Sequence, residues 1–259
     1  MSTLRDPPMG APSWSLLGLE PLRAALEFAS MRFMDHAAMP VGDGHPVVIF
    51  PGLATDKLST NPLKTFCERL GYAACDWGRG LNTGPHGNVD AWLDELATHV
   101  RAMTVKHKKR MSLVGWSLGG IYAREIAKKL PNAVRQVITI GTPFAGTGGD
   151  ETNVGWLYRL VSGHDPSLDA QLMKRLRTTP PVPTTSIYSR TDGIVAWQAC
   201  LERAGCDRAE NIEVDGSHCG LGWNPKVLAV IADRLRQPEG AWRPYGDAAR
   251  TAAVEIRAS

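Results

Sequence analysis

Gly115-Trp116-Ser117-Leu118-Gly119 sets a serine between two glycines. Residues 111–114 before it form a short apolar run suited to a buried strand. After it, Leu118, Ile121, Tyr122, Ile126 and Leu130 recur at helical spacing. A serine at a sharp strand-to-helix turn holds a strained backbone with its hydroxyl exposed, and small residues two before and two after leave room for the turn. The helix that starts there aims N–H groups and the positive end of its dipole at developing negative charge. The pattern is short enough to arise by chance, and the competing reading is a helix N-cap serine after a glycine turn. A nucleophile requires three further parts: an oxyanion loop upstream, an acid downstream, and a histidine after the acid.

The chain has seven histidines, and only His164 and His218 follow Ser117. His164 lies in a segment read as a cap and precedes any well-placed acid. His218 follows a short strand, residues 211–214, and the turn Asp215-Gly216-Ser217, so it is the expected base. For the acid, Asp192 stands after the strand expected at 184–188, beside Gly193, and is the first choice; Asp215 is the runner-up. Asp165 and Asp169 fall in the cap, and Glu202, Asp207 and Glu210 read as a solvated connection. The backbone N–H of Leu53, in Pro51-Gly52-Leu53, is the expected upstream oxyanion donor, and that of Leu118 the second. Adjacent Asp192 and His218 loops would also bring Cys200 and Cys219 within reach of a disulfide, although two thiols are the default in a reducing compartment.

These residues need elements to carry them. Apolar runs at 47–50, 134–140 and 184–188, with weaker ones at 72–77 and 211–214, read as strands. Helical spacing marks 61–70 with Pro62 at its first position, 89–107 with Leu93, Leu96, Val100 and Met103 on one face, and a last helix opening at Asn224-Pro225. Alternating strand and helix implies a parallel, doubly wound sheet, with ligands bound beyond the carboxyl ends of the strands. Residues 145–183 break the alternation and read as a small helical cap, with apolar positions Val154, Leu157 and Val161, then Leu168, Leu172 and Leu176. Residues 1–44 are expected as an arm and a helix whose inward face is Leu22, Leu26, Ala29 and Phe33; residues 237–259 form a tail. The glycine-rich loop 78–87 matches no phosphate-binding pattern and reads as a structural loop near the site.

At 259 residues and 43% hydrophobic content, a single α/β domain can bury a sizeable core. A formal charge of +3 is too small to argue for nucleic acid, and the basic run 106–110 reads as a helix end. No run approaches the ~20 apolar residues of a membrane span. The interrupted N-terminus does not resemble a signal peptide, so a cytoplasmic location is expected, with peripheral lipid contact by the first helix as the alternative to plain packing. Five scattered cysteines have neither CxxC nor zinc spacing, and no metal or cofactor is expected.

Taken together, Pro51-Gly52-Leu53, the Ser117 pentapeptide, Gly141-Thr142-Pro143-Phe144, residues 189–195 with Asp192, and Gly216-Ser217-His218 resemble the α/β-hydrolase fold, within it bacterial lipase- and esterase-like proteins. The resemblance covers roughly residues 45–236. It implies a carboxylic-ester hydrolase working through an acyl-enzyme, with Leu53 and Leu118 as oxyanion donors and a lid after the 134–140 strand. Where many lipases of this kind carry a histidine after Thr-Pro, this chain has Phe144, so no polar role is carried over there. Trp116, Phe144, Trp156 and Leu157 could line an apolar acyl pocket, or be plain packing. The expected substrate is a small-molecule or lipid ester. Since fold does not settle function, an acyltransferase or thioesterase with the same residues, and a non-catalytic binding protein, are the competing readings.

Overall fold

A computed structural model describes residues 11–146 and 166–246. Six strands form, and all but β2 and β6 are rich in β-branched and apolar residues: β1 (Pro46–Phe50), β2 (Ala73–Asp76), β3 (Met111–Trp116), β4 (Val134–Ile140), β5 (Thr184–Tyr188) and β6 (Ala209–Glu213). They pair in parallel in the order β2-β1-β3-β4-β5-β6. The chain runs outward from β1 to β2, then returns past β1 to β3, which opens a crevice beyond the carboxyl ends of β1 and β3. Every residue of β1, β3, β4 and β5 is buried, as a parallel sheet covered on both faces requires.

Side-chain alternation divides the core into two layers. Val48, Phe50, Leu113 and Val137 face α3 (Val89–His107) and α4 (Leu118–Lys129), together with Met173 and Leu176 of α5 (Pro166–Arg177). Val47, Ile49, Val114, Ile138 and Ile187 face α2 (Lys57–Arg69) and α6 (Pro225–Leu235). Burying each such side chain contributes roughly 1.5–3 kcal/mol. Helix α4 is covered on nearly every side, so even Arg124 and Glu125 are buried in it.

Several expectations change. Helix α2 begins at Lys57, capped by the Asp56 carboxylate on the Leu58 N–H, so Pro62 lies inside it rather than at its start. Helix α1 spans Trp14–Met31, starting inside the expected arm, with Ser13 as its cap. Its buried face is Glu20 and Ala24, while Leu22, Leu26 and Phe33 are 60%, 61% and 88% exposed. The apolar periodicity misled because α1 docks through polar side chains onto loop backbone. Glu202 is not solvated: it is buried against Arg124, with the Thr179 hydroxyl on its other oxygen. Of the expected cap, α5 packs on α4, where Arg175 pairs with Glu125 and Lys128 donates to the Arg175 carbonyl, and Arg175 also reaches Asp90 of α3. The expected helix around Val154, Leu157 and Val161 lies outside the described residues, as does His164. Among the described residues no helix is long and apolar enough to cross a membrane.

Candidate active site

Ser117 closes β3 and opens α4 with φ 52° and ψ −122°, a left-handed conformation that a non-glycine residue adopts only under constraint. Its N–H bonds to the Ile140 carbonyl at 2.8 Å, which ties the turn to the end of β4. The flanking glycines are needed for space: a Cβ on Gly115 would collide with the Gly120 backbone, and one on Gly119 with the carbonyl of Phe50. These contacts draw the start of α4 against the loop after β1. Ser117 is partly exposed while its neighbours are buried.

His218 and Asp192 arrive from the loops after β6 and β5. His218 Nε2 lies 3.0 Å from Ser117 Oγ, and His218 Nδ1 lies 2.7 Å from Asp192 Oδ2. The other Asp192 oxygen accepts the N–H groups of Ile194 and Val195, which fixes the carboxylate. Ser189 joins the two loops, donating to the Gly216 carbonyl at 2.7 Å and accepting the Gly216 N–H. Asp215, the runner-up acid, is exposed, and its carbonyl accepts Asn224 Nδ2. Burial pushes the His218 pKa down, but the charge and hydrogen bond of Asp192, then the charge of Glu20, outweigh it and leave it above the ordinary histidine value.

The loop after β1 reaches the serine. The Gly52 Cα faces Ser117 so closely that a Cβ there would sit 3.4 Å from the Ser117 Cβ. Among the described residues, no hydrogen bond outside regular secondary structure uses the N–H of Leu53 or Leu118. As the first residue of α4, Leu118 has no acceptor for its N–H within the helix. The loop is braced by Asn82, fully buried in the glycine-rich segment. Its Nδ2 donates to the Pro51 carbonyl, its Oδ1 accepts Tyr122 Oη–H and the Gly84 N–H, and its backbone pairs with Ala54 and Thr55. Sequence reasoning placed that loop near the site but not Asn82 itself. An uncharged residue inside a run of glycines gives no periodic signal; the one cue was a lone amide able to satisfy several backbone groups.

The expected pocket residues are placed differently. Trp116 is buried edge-on against Trp223, and its Nε1 donates to the His218 carbonyl at 3.1 Å. Phe144 is buried with the Arg124 guanidinium 3.6 Å above its ring. Both are spent on contacts within the protein rather than on an open wall. Trp156 and Leu157 lie outside the described residues. Cys200 and Cys219 are both free thiols.

Residues 46–188, just over half of the chain, match the family model for palmitoyl protein thioesterase. The chain belongs to the palmitoyl protein thioesterase family. The matched segment of this thioesterase-family chain carries β1 to β5 and Ser117, and stops before Asp192 and His218. Solved structures share the fold. Aspergillus fumigatus lipase B superposes with a TM-score of 0.58 at 19% identity, over 82% of this chain and 58% of the lipase. Bacillus licheniformis lipase BlEst2 gives 0.57 at 16%, over 77% and 95%. Paleococcus ferrophilus monoacylglycerol lipase gives 0.56 at 13%, over 76% and 96%. No curated protein matches the chain. The six-stranded parallel sheet is that of the α/β-hydrolase fold.

Proposed function

We propose that the protein is a serine acyl hydrolase that cleaves a carboxylic ester through an acyl-enzyme on Ser117. The observation that carries this reading is the continuous hydrogen-bonded chain from Ser117 Oγ through His218 to Asp192. Ser117 attacks the acyl carbonyl while His218 Nε2 takes its proton, and Asp192 holds the imidazole in orientation and stabilises its charged form. The N–H groups of Leu53 and Leu118 receive the oxyanion, each worth a few kcal/mol of barrier. His218 then protonates the leaving group, and water repeats the sequence on the acyl-enzyme. The reaction needs no metal or cofactor.

The family match favours a second reading on the same residues, hydrolysis of an acyl thioester. A thiolate leaves more readily than an alkoxide, so the discriminating comparison is an oxyester and a thioester of identical acyl chain. Two measurements test the proposal. A fluorophosphonate probe labels the native protein and not Ser117→Ala; equal labelling of both, or none, removes Ser117 as nucleophile and leaves a binding protein on a hydrolase fold. Matched ester and thioester substrates of increasing chain length, assayed with and without an alcohol acceptor, then separate esterase, thioesterase and acyltransferase.

A further inference from the structure

Helix α1 presents Glu20, Arg23, Ala24 and Glu27, an i, i+3, i+4, i+7 face, to the two loops that carry Asp192 and His218. Glu20 is 2% exposed. Its Oε1 accepts the N–H groups of Gly193 at 2.8 Å and His218 at 2.9 Å, and its Oε2 accepts the Cys219 N–H at 2.9 Å. Three donors from two loops thus converge on one carboxylate from an element 173 to 199 residues away in sequence. The neighbours reinforce the docking. Arg23 donates to the Thr191 carbonyl and hydroxyl, Glu27 accepts the Ser217 N–H at 2.7 Å, and Trp223 Nε1 donates to the Ala24 carbonyl. Gly193 lets the helix come this close: a Cβ there would lie 2.6 Å from the Leu16 carbonyl carbon.

We infer that Glu20 is a positioning residue for the reaction, its carboxylate holding the Gly193, His218 and Cys219 amides so that the imidazole stays aligned between Asp192 and Ser117. The inference rests on the proposed role of Ser117, His218 and Asp192. A carboxylate that served only to attach α1 could bond to any exposed amide; this one bonds to the base's own N–H and to the residue following the acid. It also places negative charge near the imidazole. The charged and titratable groups around His218 are Asp192 from the loop after β5, Glu20, Arg23 and Glu27 on the docked face of α1, and Cys219 with the exposed Asp215 in its own loop. The Cys219 thiol is pushed up to about 12, chiefly by burial, and stays neutral; the Arg23 guanidinium is bonded to Thr191, and the charges of Asp192 and Glu20 favour the imidazolium.

The test is steady-state kinetics normalised to serines titrated with a fluorophosphonate, over a pH series, for native protein, Glu20→Gln, Glu20→Ala and Ser117→Ala. Glu20→Ala is expected to lower kcat per titrated serine about 10²-fold, with KM within about threefold. Glu20→Gln keeps an oxygen for the Gly193 and His218 amides and recovers most of kcat. Both variants lose the charge, so the acid limb of kcat/KM moves to lower pH, on the order of half a unit. Leu22→Ala, on the exposed face of the same helix, leaves all these values unchanged. If the loss lies wholly in fewer titratable serines, with kcat per serine and the acid limb unchanged, Glu20 is only a structural anchor and the inference falls. Should Glu20→Ala fail to fold, an unshifted limb in Glu20→Gln overturns it equally. Turnover retained by Ser117→Ala is a separate failure, which removes the proposed function itself.

Discussion

At the scale of single residues, His218 carries the pH signature. In the proposed reaction it must be neutral to take the Ser117 proton, and its pKa is raised. The acid limb of kcat/KM is therefore expected above the ordinary histidine value of about 6.5, read directly from a pH–rate profile. Relative to the unfolded chain, the same shift contributes stability that is full below about pH 6.5 and is lost as pH rises through the folded value. Asp192→Asn should lower kcat about 10⁴-fold with little change in KM, because the imidazole loses its orienting acceptor. Asp215→Asn, altering an exposed side chain, should leave kcat unchanged; the reverse pattern would reassign the acid. That Ser117 and His218 come together was legible because chain order and local context constrain them strongly. The choice between Asp192 and Asp215 was less so, since both follow strands, and what separates them, the bond from His218 Nδ1 to buried Asp192 and the exposure of Asp215, belongs to the folded loops.

At the scale of elements, what matters is how loops are braced. Asn82→Ala removes the amide that holds the Pro51 carbonyl and leaves Tyr122 Oη–H and the Gly84 N–H without their acceptor. The oxyanion loop should loosen, and kcat should fall about tenfold or more, more than KM changes, in steady-state assays. Gly119→Ala sets a Cβ against the Phe50 and Pro51 carbonyls, so α4 must shift from the loop after β1. The expected result is reduced fluorophosphonate labelling with the secondary structure retained by circular dichroism. The strands and α3 were legible from periodicity. The docking of α1 was not, because its inward face is polar and its partners are backbone amides nearly two hundred residues away, which hydrophobic patterning cannot register.

At the scale of the whole molecule, the buried Arg124–Glu202 pair joins α4 to the connection between β5 and β6, and Arg124 also donates to the Leu176 and Thr178 carbonyls. Arg124→Met would strand the Glu202 charge, at a cost of roughly 3–5 kcal/mol, and lower Tm on the order of 10 °C. Adding Glu202→Leu should restore much of that loss in a thermal melt, since the penalty comes from the unpaired charge. Neither residue was marked by the sequence. A charged residue on an amphipathic helix reads as solvated until another element is seen to cover it.

The functional groups follow β1, β3, β5 and β6 in turn, and Glu20 precedes them all. A chain emerging from the ribosome thus carries Ser117 long before it carries His218. On the proposed mechanism, until β6 is laid against the edge of β5 and the loop beyond it meets α1, the serine stays an ordinary alcohol. Reactivity toward a fluorophosphonate should therefore serve as a clock for folding: chains released at successive lengths stay silent through β5 and gain labelling only once His218 is in place.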